Sequence, residues 1–282
     1  MRGGEWTLAL NCIIFGVLVL CRCCLWMKDR IGREAGNSQL QKGICQCTGN
    51  REVQADRVQA WTNPAGTMAV LADGIGRANT GAICAQIAVD TILDRFESYH
   101  ELNDPLYFFR TAFYEANRRI QKTLGERRGG ACVGAVFMNR SCLYYAIAGD
   151  VRLALLRGEE LIPLGKGQTM DVLAAQAYED GKISRQDAVW SMEEKRVWNY
   201  MGREGFRDIE TCTVPVRLKP GDMVLVASKG VFEELSWGEM EDILISGRPV
   251  QELAERLVQE AEKKDAPEKE NGSVILLQGT EA

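Results

Sequence analysis

Asp73 stands at the end of a short apolar run and directly before a glycine-rich turn. The run covers residues 68–72, glycines follow at positions 74, 76 and 81, and an amphipathic helix pattern begins near residue 80. This order holds a carboxylate on a rigid element while the backbone beside it can approach a ligand closely, since glycine has no side chain in the way. Taken alone, the pattern is also typical of an ordinary strand–turn–helix corner with a solvated acid.

A second acid, Asp150, follows another apolar run, residues 143–148. The chain has a single histidine, His100, so it can build neither a histidine triad nor a histidine-rich metal site. Its ten cysteines include no pair of Cys-x-x-Cys units, which argues against zinc. Any metal chemistry must therefore use carboxylates, the ligands that hard divalent cations prefer.

The elements that would position these acids are strands in hairpins, with helices between them. Apolar runs predict strands over residues 67–72, 132–138, 143–148, 211–216, 223–228 and 273–277. Periodic apolar positions predict helices over residues 80–99, 104–124, 236–245 and 249–263. Antiparallel hairpins with segregated helices favour an α+β fold over a doubly wound parallel sheet.

The composition is that of a globular chain with an acidic balance. The 282 residues are 46% hydrophobic and 26% charged, which is enough to bury a sizeable core. The formal net charge is −5, and no common RNA- or DNA-binding signature is present. We therefore expect no nucleic-acid partner.

Residues 6–27 form an apolar segment that only Arg22 interrupts. As a helix the segment would span about 33 Å, enough for a bilayer core if Arg22 reaches the interface. Three basic residues follow it by position 33, against one before it, which predicts a single-pass anchor with the domain in the cytoplasm. A cleaved signal peptide is the alternative, although no small-x-small site follows. The sequence does not decide whether Cys21, Cys23 and Cys24, at the cytoplasmic end of the segment, are acylated.

The chain is thus predicted to have a tail (1–5), a transmembrane helix (6–27), a tether (28–42) and one globular domain (43–278). Four motifs occur in order along that domain. They are Arg51-Glu-Val-Gln-Ala-Asp56, Ala72-Asp73-Gly-Ile-Gly76, Gly149-Asp150-Val-Arg152, and Ser228-Lys229-Gly230 followed by Glu270-Asn271-Gly-Ser-Val. Together they resemble the metal-dependent serine/threonine protein phosphatases of type 2C, the PPM family.

The resemblance implies a four-layer α-β-β-α sandwich, with two antiparallel sheets flanked by helices and a cleft that holds two or three Mg²⁺ or Mn²⁺ ions. On this resemblance Asp73 corresponds to the acid that bridges the two main metals, and the Gly74 carbonyl to a backbone ligand. Arg51 corresponds to the arginine that grips the substrate phosphate, a task suited to its bidentate fork. Asp150 corresponds to an acid associated with a third metal. Glu270 replaces the final aspartate and could still ligate.

Two positions depart from the family pattern. Ala55 stands where the family has a glutamate ligand, and Lys229 stands where it has an aspartate ligand. The site loses two carboxylates and gains an ammonium, and like charges ~4 Å apart repel by about 4 kcal/mol per unit charge product at an effective dielectric constant of 20. We therefore expect the Lys229 ammonium to take a metal position and to pair with Asp73 and Glu270.

Several other acids are predicted to be structural or uninvolved. Asp56 is expected to make hydrogen bonds beneath the site, and Asp222 to be a turn residue in Pro-Gly-Asp. Glu233 and Glu234 follow Lys229 too late to replace the missing aspartate. The charged run 263–270 is expected to be a solvated loop.

Two functions remain open on these residues. The first is a membrane-anchored pseudophosphatase that keeps Arg51 for a phosphoprotein or signalling partner and needs no metal. The second is an active Mn²⁺- or Mg²⁺-dependent phosphoserine/phosphothreonine phosphatase with an altered site built from Asp73, Asp150 and Glu270.

Overall fold

Eleven strands form two antiparallel sheets in the computed structural model, which describes residues 40–77, 79–139, 142–192 and 196–279. The strands are β1 (Gln41–Cys47), β2 (Arg57–Asn63), β3 (Gly66–Ile75), β4 (Gly130–Asn139), β5 (Cys142–Ala148), β6 (Arg152–Arg157), β7 (Glu160–Pro163), β8 (Glu210–Thr211), β9 (Val216–Arg217), β10 (Met223–Ala227) and β11 (Gly272–Gln278). One sheet has the order β1-β11-β10-β6-β7, and the other has the order β2-β3-β4-β5-β8, with β9 also paired to β5.

The described residues form seven helices. They are α1 (Thr80–Glu97), α2 (Pro105–Leu124), α3 (Met170–Glu179), α4 (Arg185–Met192), α5 (Lys229–Phe232), α6 (Trp237–Leu244) and α7 (Val250–Lys263). Helices α1 and α2 share one buried core with the sheet that contains β3 and β4. Helices α5, α6 and α7 share a second core with the sheet that contains β10 and β11. The predicted α+β fold, with two antiparallel sheets flanked by helices, is confirmed.

Local sequence signals set two of the helix starts. The Asp104 side chain accepts a hydrogen bond from the Tyr107 backbone N–H at 2.9 Å, and Pro105 occupies the first helical position of α2. Ser236 and Glu239 form a reciprocal capping box at the start of α6. These caps stabilise the ends of helices whose apolar faces are then buried on the sheets.

The inner faces of the two sheets pack against each other. Along β3, Ala72 belongs to the core beneath the helices, so its neighbours Leu71 and Asp73 point towards the second sheet. The approach is close at Gly134 in β4, where an added Cβ would lie 3.0 Å from the Leu153 side chain in β6. Side-chain alternation therefore aims Asp73 at the space between the sheets.

The structure differs from the sequence-based expectations in three places. Strand β3 continues to Ile75, so Asp73 lies inside the strand and pairs with Cys132 of β4. The single strand predicted over 211–216 is wrong, because only the short strands β8 and β9 pair with β5 there. Asp222 is a turn residue as predicted, since its backbone N–H donates to the Lys219 carbonyl at 3.1 Å, but it is also buried and accepts from the Arg157 guanidinium at 2.7 Å.

The domain begins two residues before the predicted boundary, since β1 starts at Gln41. The predicted membrane segment 6–27 and most of the tether lie outside the described residues. None of the helices within the described ranges is both long enough and apolar enough to cross a bilayer.

Candidate active-site cleft

A cleft of about 620 Å³ opens at the end of the sheets where β3 and β10 finish and β11 begins. Its walls include Arg51, Asp73, Asp150, Lys229 and Glu270. These residues come from five separate stretches of the chain. The structure therefore brings together the charged side chains that the sequence motifs single out, and Gly74 and Ala55 line the same cleft.

Asp73 and Gly74 form the floor of the cleft. The backbone at Gly74 runs so close to Gly81 and Ala55 that an added Cβ would lie 2.5 Å and 2.6 Å from their carbonyl oxygens. Glycine is required there for this packing, which fixes the strand end that carries Asp73. Burial raises the pKa of Asp73 well above its usual range, and the carboxylates of Asp56, Glu270 and Asp150 raise it further.

Lys229 is the first residue of α5, and its ammonium reaches into the cleft. Its Nζ lies 3.5 Å from Glu233 Oε2 and 3.9 Å from Glu270 Oε1. No ion pair with Asp73 occurs among the described residues, so the expected pairing is correct for Glu270 and wrong for Asp73. Glu233 is the second carboxylate that pairs with Lys229, because the helical turn of α5 brings a residue four positions later onto the same face.

Arg51 is held by Glu270 through two nitrogen atoms of its guanidinium. Its Nε lies 3.0 Å from Glu270 Oε2, and its Nη2 lies 2.9 Å from Oε1. This bidentate geometry is the one that guanidinium groups also use for phosphate. Both side chains remain about two-fifths exposed, at 42% and 39%. Glu270 therefore lies between two cations, Arg51 and Lys229.

Asn271 organises the loop that carries Arg51, a role the sequence did not indicate. Its Oδ1 accepts from the Ala55 backbone N–H at 2.8 Å, and its Nδ2 donates to the carbonyl oxygens of Thr48 and Val53 at 2.8 Å and 3.1 Å. Ala55 lines the cleft with a methyl group, which cannot ligate a metal ion. In the sequence, its place in the Glu-Asn-Gly-Ser motif is the feature that could have pointed to Asn271.

Asp56 lies beneath the cleft and ties the two sheets together, as predicted. It is 1% exposed, and its Oδ2 accepts from the Ser228 and Ser273 hydroxyls at 2.8 Å and 2.7 Å. Burial raises the pKa of Asp56 to about 6, against the opposing effect of these two hydrogen bonds. Ser228 in turn accepts from the Ser273 backbone N–H at 2.8 Å, which joins the start of α5 to β11.

Asp150 lies at the far wall of the cleft beside Arg152. Its Oδ1 is 3.4 Å from Arg152 Nη2, and its side chain is 6% exposed. Burial raises the pKa of Asp150, the Arg152 guanidinium lowers it, and the carboxylates of Glu233 and Asp171 raise it. Asp150 therefore lines the same cleft as Asp73, and its predicted association with a metal stays a prediction.

A two-sheet sandwich with a charged cleft at one end is the architecture of the metal-dependent phosphatase class. The chain belongs to the protein phosphatase 2C family, whose profile matches residues 46–269. It is 26% identical over 216 residues to a serine/threonine phosphatase, Stp, of Listeria welshimeri, covering 74% of this chain and 83% of the relative. It is 27% identical over 216 residues to the protein phosphatase PhpP of Streptococcus pneumoniae, covering 72% and 83%.

Solved structures share the fold. The serine/threonine phosphatase of S. agalactiae aligns with a TM-score of 0.75 at 19% identity, over 86% of this chain and all of that chain. The catalytic domain of the phosphatase PstP, in complex with two manganese ions, aligns with a TM-score of 0.68 at 22% identity, over 86% and 99%. At these identities the likeness extends to the fold alone.

The donor set of this chain does not fit the metal centre of that family. Within the described ranges, no three aspartate, glutamate, histidine or cysteine side chains come together as a group able to hold a metal ion. Ala55 and Lys229, which the motif resemblance aligns with two metal ligands of the family, both line this cleft.

Proposed function

We propose that this protein is a pseudophosphatase that binds phosphorylated serine or threonine in a partner protein and does not hydrolyse it. The observation that carries the proposal is the position of Lys229. Its ammonium lies 3.9 Å from Glu270 and 3.5 Å from Glu233, at the cleft wall where the family pattern has a metal-binding carboxylate. A fixed cation there opposes a divalent ion by repulsion.

Two cations of the cleft would hold the phosphate. Arg51 offers its guanidinium fork, and Lys229 offers a point charge on the other side of Glu270. Phosphate presents up to two negative charges and accepts charge-assisted hydrogen bonds from both groups. Because Glu270 holds the same two cations, an incoming phosphate takes over contacts that its carboxylate makes in the free protein.

The proposal includes a membrane anchor. The apolar segment 6–27 would cross the bilayer once and leave the domain in the cytoplasm, where phosphorylated signalling proteins are available. Deleting residues 1–39 should then move the protein from the membrane fraction to the soluble fraction. Recovery of the truncated and full chains in the same fraction would contradict this part of the proposal.

The second candidate is an active Mn²⁺- or Mg²⁺-dependent phosphatase with an altered site. It is favoured by the acids that surround Asp73, since Asp56, Glu270 and Asp150 all raise its pKa and together make a field that attracts cations. The relatives that share the family carry the name of phosphatase. Under this alternative Asp73, Asp150 and Glu270 would supply the ligands.

One experiment separates the two candidates. The full chain, in a mild non-ionic detergent, is incubated with a phosphothreonine peptide and millimolar Mn²⁺ while phosphate release and peptide binding are measured together. We expect binding without release, and no micromolar Mn²⁺ binding by calorimetry. Turnover that Asp73→Asn abolishes would overturn the proposal in favour of the second candidate.

A further inference from the structure

A second groove lies beside the cleft, between the β6–β7 hairpin and helices α5 and α6. Its volume is about 340 Å³, within the range of side-chain and small-ligand pockets. Leu153, Leu235, Trp237 and Met240 provide an apolar wall. The polar residues Asp150, Thr169 and Asp171 also line the groove and form its polar wall, so the groove is amphipathic.

The polar wall contains buried oxygen atoms that make no hydrogen bond, although one of them, Asp150 Oδ1, lies 3.4 Å from Arg152 Nη2. Five buried side-chain atoms among the described residues lack a hydrogen-bond partner, and three of them belong to this wall: Asp150 Oδ1, Thr169 Oγ1 and Asp171 Oδ1. Thr169 is 1% exposed and the Asp150 side chain is 6% exposed. Buried acceptors without donors are costly, so their concentration at one wall points to a ligand that donates.

Thr169 shows that these acceptors are not used by the neighbouring helix. It occupies the N-cap position of α3, where a threonine hydroxyl ordinarily accepts from a backbone N–H of the first turn. Here the side chain makes no such bond. Asp171 follows in the first turn of the same helix. Both side chains are therefore available to a group that enters the groove.

The charge of the groove selects a cation. Asp150, Asp171 and Glu233 contribute three carboxylates to the groove. Arg152 lies 3.4 Å from Asp150 and Lys229 lies 3.5 Å from Glu233, so Asp171 is the carboxylate that has no cation partner among the described residues. The Arg152 guanidinium already lies over the Phe232 ring, 5.0 Å from its centroid, and donates to the Lys166 carbonyl at 2.9 Å. Arg152 is therefore a planar cation that the lining of the groove already binds. It makes no hydrogen bond to Asp150 Oδ1.

The acceptors favour an organic cation over a metal ion. No group of three metal-binding side chains assembles in the described part of the chain, here or elsewhere. A guanidinium has five N–H donors in one plane, can serve acceptors from several residues at once, and packs on aromatic rings such as Trp237. The aliphatic stem of an arginine and an apolar neighbour would then cover the Leu153 side of the groove.

We propose that this groove is a binding site for a partner peptide that presents an arginine next to an apolar residue. The guanidinium lies against Asp150, Thr169 and Asp171, and the apolar side chain packs on Trp237 and Met240. The site adjoins the phosphate cleft but does not depend on it. A partner segment could therefore be recognised here whether or not it carries a phosphate.

The test uses the full chain labelled with 5-fluorotryptophan, in a mild non-ionic detergent. The Trp237 resonance is assigned with the Trp237→Phe variant, and its shift is followed during titration with acetyl-Leu-Arg-Leu-amide. The same peptide with citrulline in place of arginine keeps the shape and loses the charge. We expect saturable shifts with the arginine peptide and binding weaker by about tenfold or more with the citrulline peptide.

Asp171→Asn should weaken the binding of the arginine peptide by about tenfold, since the substitution removes one charged acceptor. The matched control is Asp180→Asn, which changes an acid at the other end of α3 that pairs with Lys182 outside the groove. Equal affinity for the arginine and citrulline peptides on the unmodified chain would overturn the proposal, and so would the absence of any shift at Trp237. Unchanged affinity in Asp171→Asn would overturn the assigned contact.

Discussion

Glu270 binds Arg51 through two parallel contacts, Nε to Oε2 at 3.0 Å and Nη2 to Oε1 at 2.9 Å, across 219 positions of sequence. The carboxylate thus holds the guanidinium in the way that a phosphate would. The guanidinium that the motif resemblance assigns to phosphate binding is therefore engaged by the protein itself. This pairing gives the first prediction.

Glu270→Gln should strengthen binding of a phosphothreonine peptide by about twofold to fivefold, because Arg51 no longer has to leave an ion pair at the exposed mouth of the cleft. Isothermal calorimetry on the full chain measures the change. Glu52→Gln is the matched control, since it removes the same charge from a cleft residue that makes no ion pair with Arg51. Equal gains in both variants would mean that general charge, and not the release of Arg51, sets the affinity.

Arg51→Lys should weaken the same peptide by about tenfold although the charge is kept, because an ammonium cannot make the bidentate contact. Fluorescence anisotropy with a labelled peptide is suitable for this comparison. Arg118→Lys, an exposed position of α2 that does not line the cleft, is the control and should bind as the unmodified chain does. Retention of full affinity in Arg51→Lys would place the phosphate elsewhere.

The double variant Ala55→Glu with Lys229→Asp should gain Mn²⁺ binding in the micromolar range, since it restores two carboxylates and removes the opposing cation. Calorimetry with Mn²⁺ and phosphate release from a phosphothreonine peptide report the outcome. Each single variant serves as a control and should gain less than the pair. Micromolar Mn²⁺ binding by the unmodified chain would contradict the role given to Lys229.

The pH dependence of stability should carry a contribution from Asp56. Burial raises its pKa from 3.8 to about 6, so between those values the folded chain binds this proton more tightly than the unfolded chain. The free energy of unfolding should therefore fall as the pH rises through this window, by up to about 3 kcal/mol, and this contribution should stay lost above it.

Asp56→Asn removes that titration and should flatten the dependence between pH 4 and pH 6.5, as measured by urea unfolding at several pH values. Asp73 and Asp150 titrate in the same direction and remain in both proteins. Because the Asp56 carboxylate is one cause of the raised pKa of Asp73, the difference between the two curves reports Asp56 together with its effect on Asp73. The exposed acid at position 180 is the control for a simple loss of charge. Parallel curves for the two proteins would rule out a buried, proton-binding Asp56.

The fold class could be predicted because its signals are local, whereas the residues of the cleft were predicted from the resemblance of the four motifs to the PPM family. The strand and glycine turn around Asp73 and the Asp-Pro start of α2 depend on residues adjacent in sequence. The extent of β3 beyond Asp73 was not predictable, since glycines at 74 and 76 indicate a turn. Only the pairing with β4 keeps Asp73 and Gly74 in the strand.

The partners inside the cleft were harder to predict. Glu233 meets Lys229 only because residues 229–232 form a helical turn, whereas Ser-Lys-Gly suggests a loop. Arg51 and Glu270 meet through tertiary packing alone. Asp222 shows the same limit, since its partner Arg157 lies 65 residues away and the Pro-Gly-Asp sequence indicates a turn. Sequence patterns locate the charges, but the choice among nearby opposite charges depends on distances that the assembled sheets determine.

The four charged groups Glu233, Lys229, Glu270 and Arg51 form a continuous row of ion pairs across the cleft. In a metal-dependent relative, bound ions would link the corresponding loops, and their shape would vary with metal supply. Here the groups that link the loops are side chains of the protein itself, so the links do not depend on metal supply. If the protein is the proposed pseudophosphatase, its phosphate-binding cleft would keep its structure in a cell that is starved of manganese or treated with a chelator. An increase in ionic strength would weaken the ion pairs across the cleft, because salt screens exposed charges.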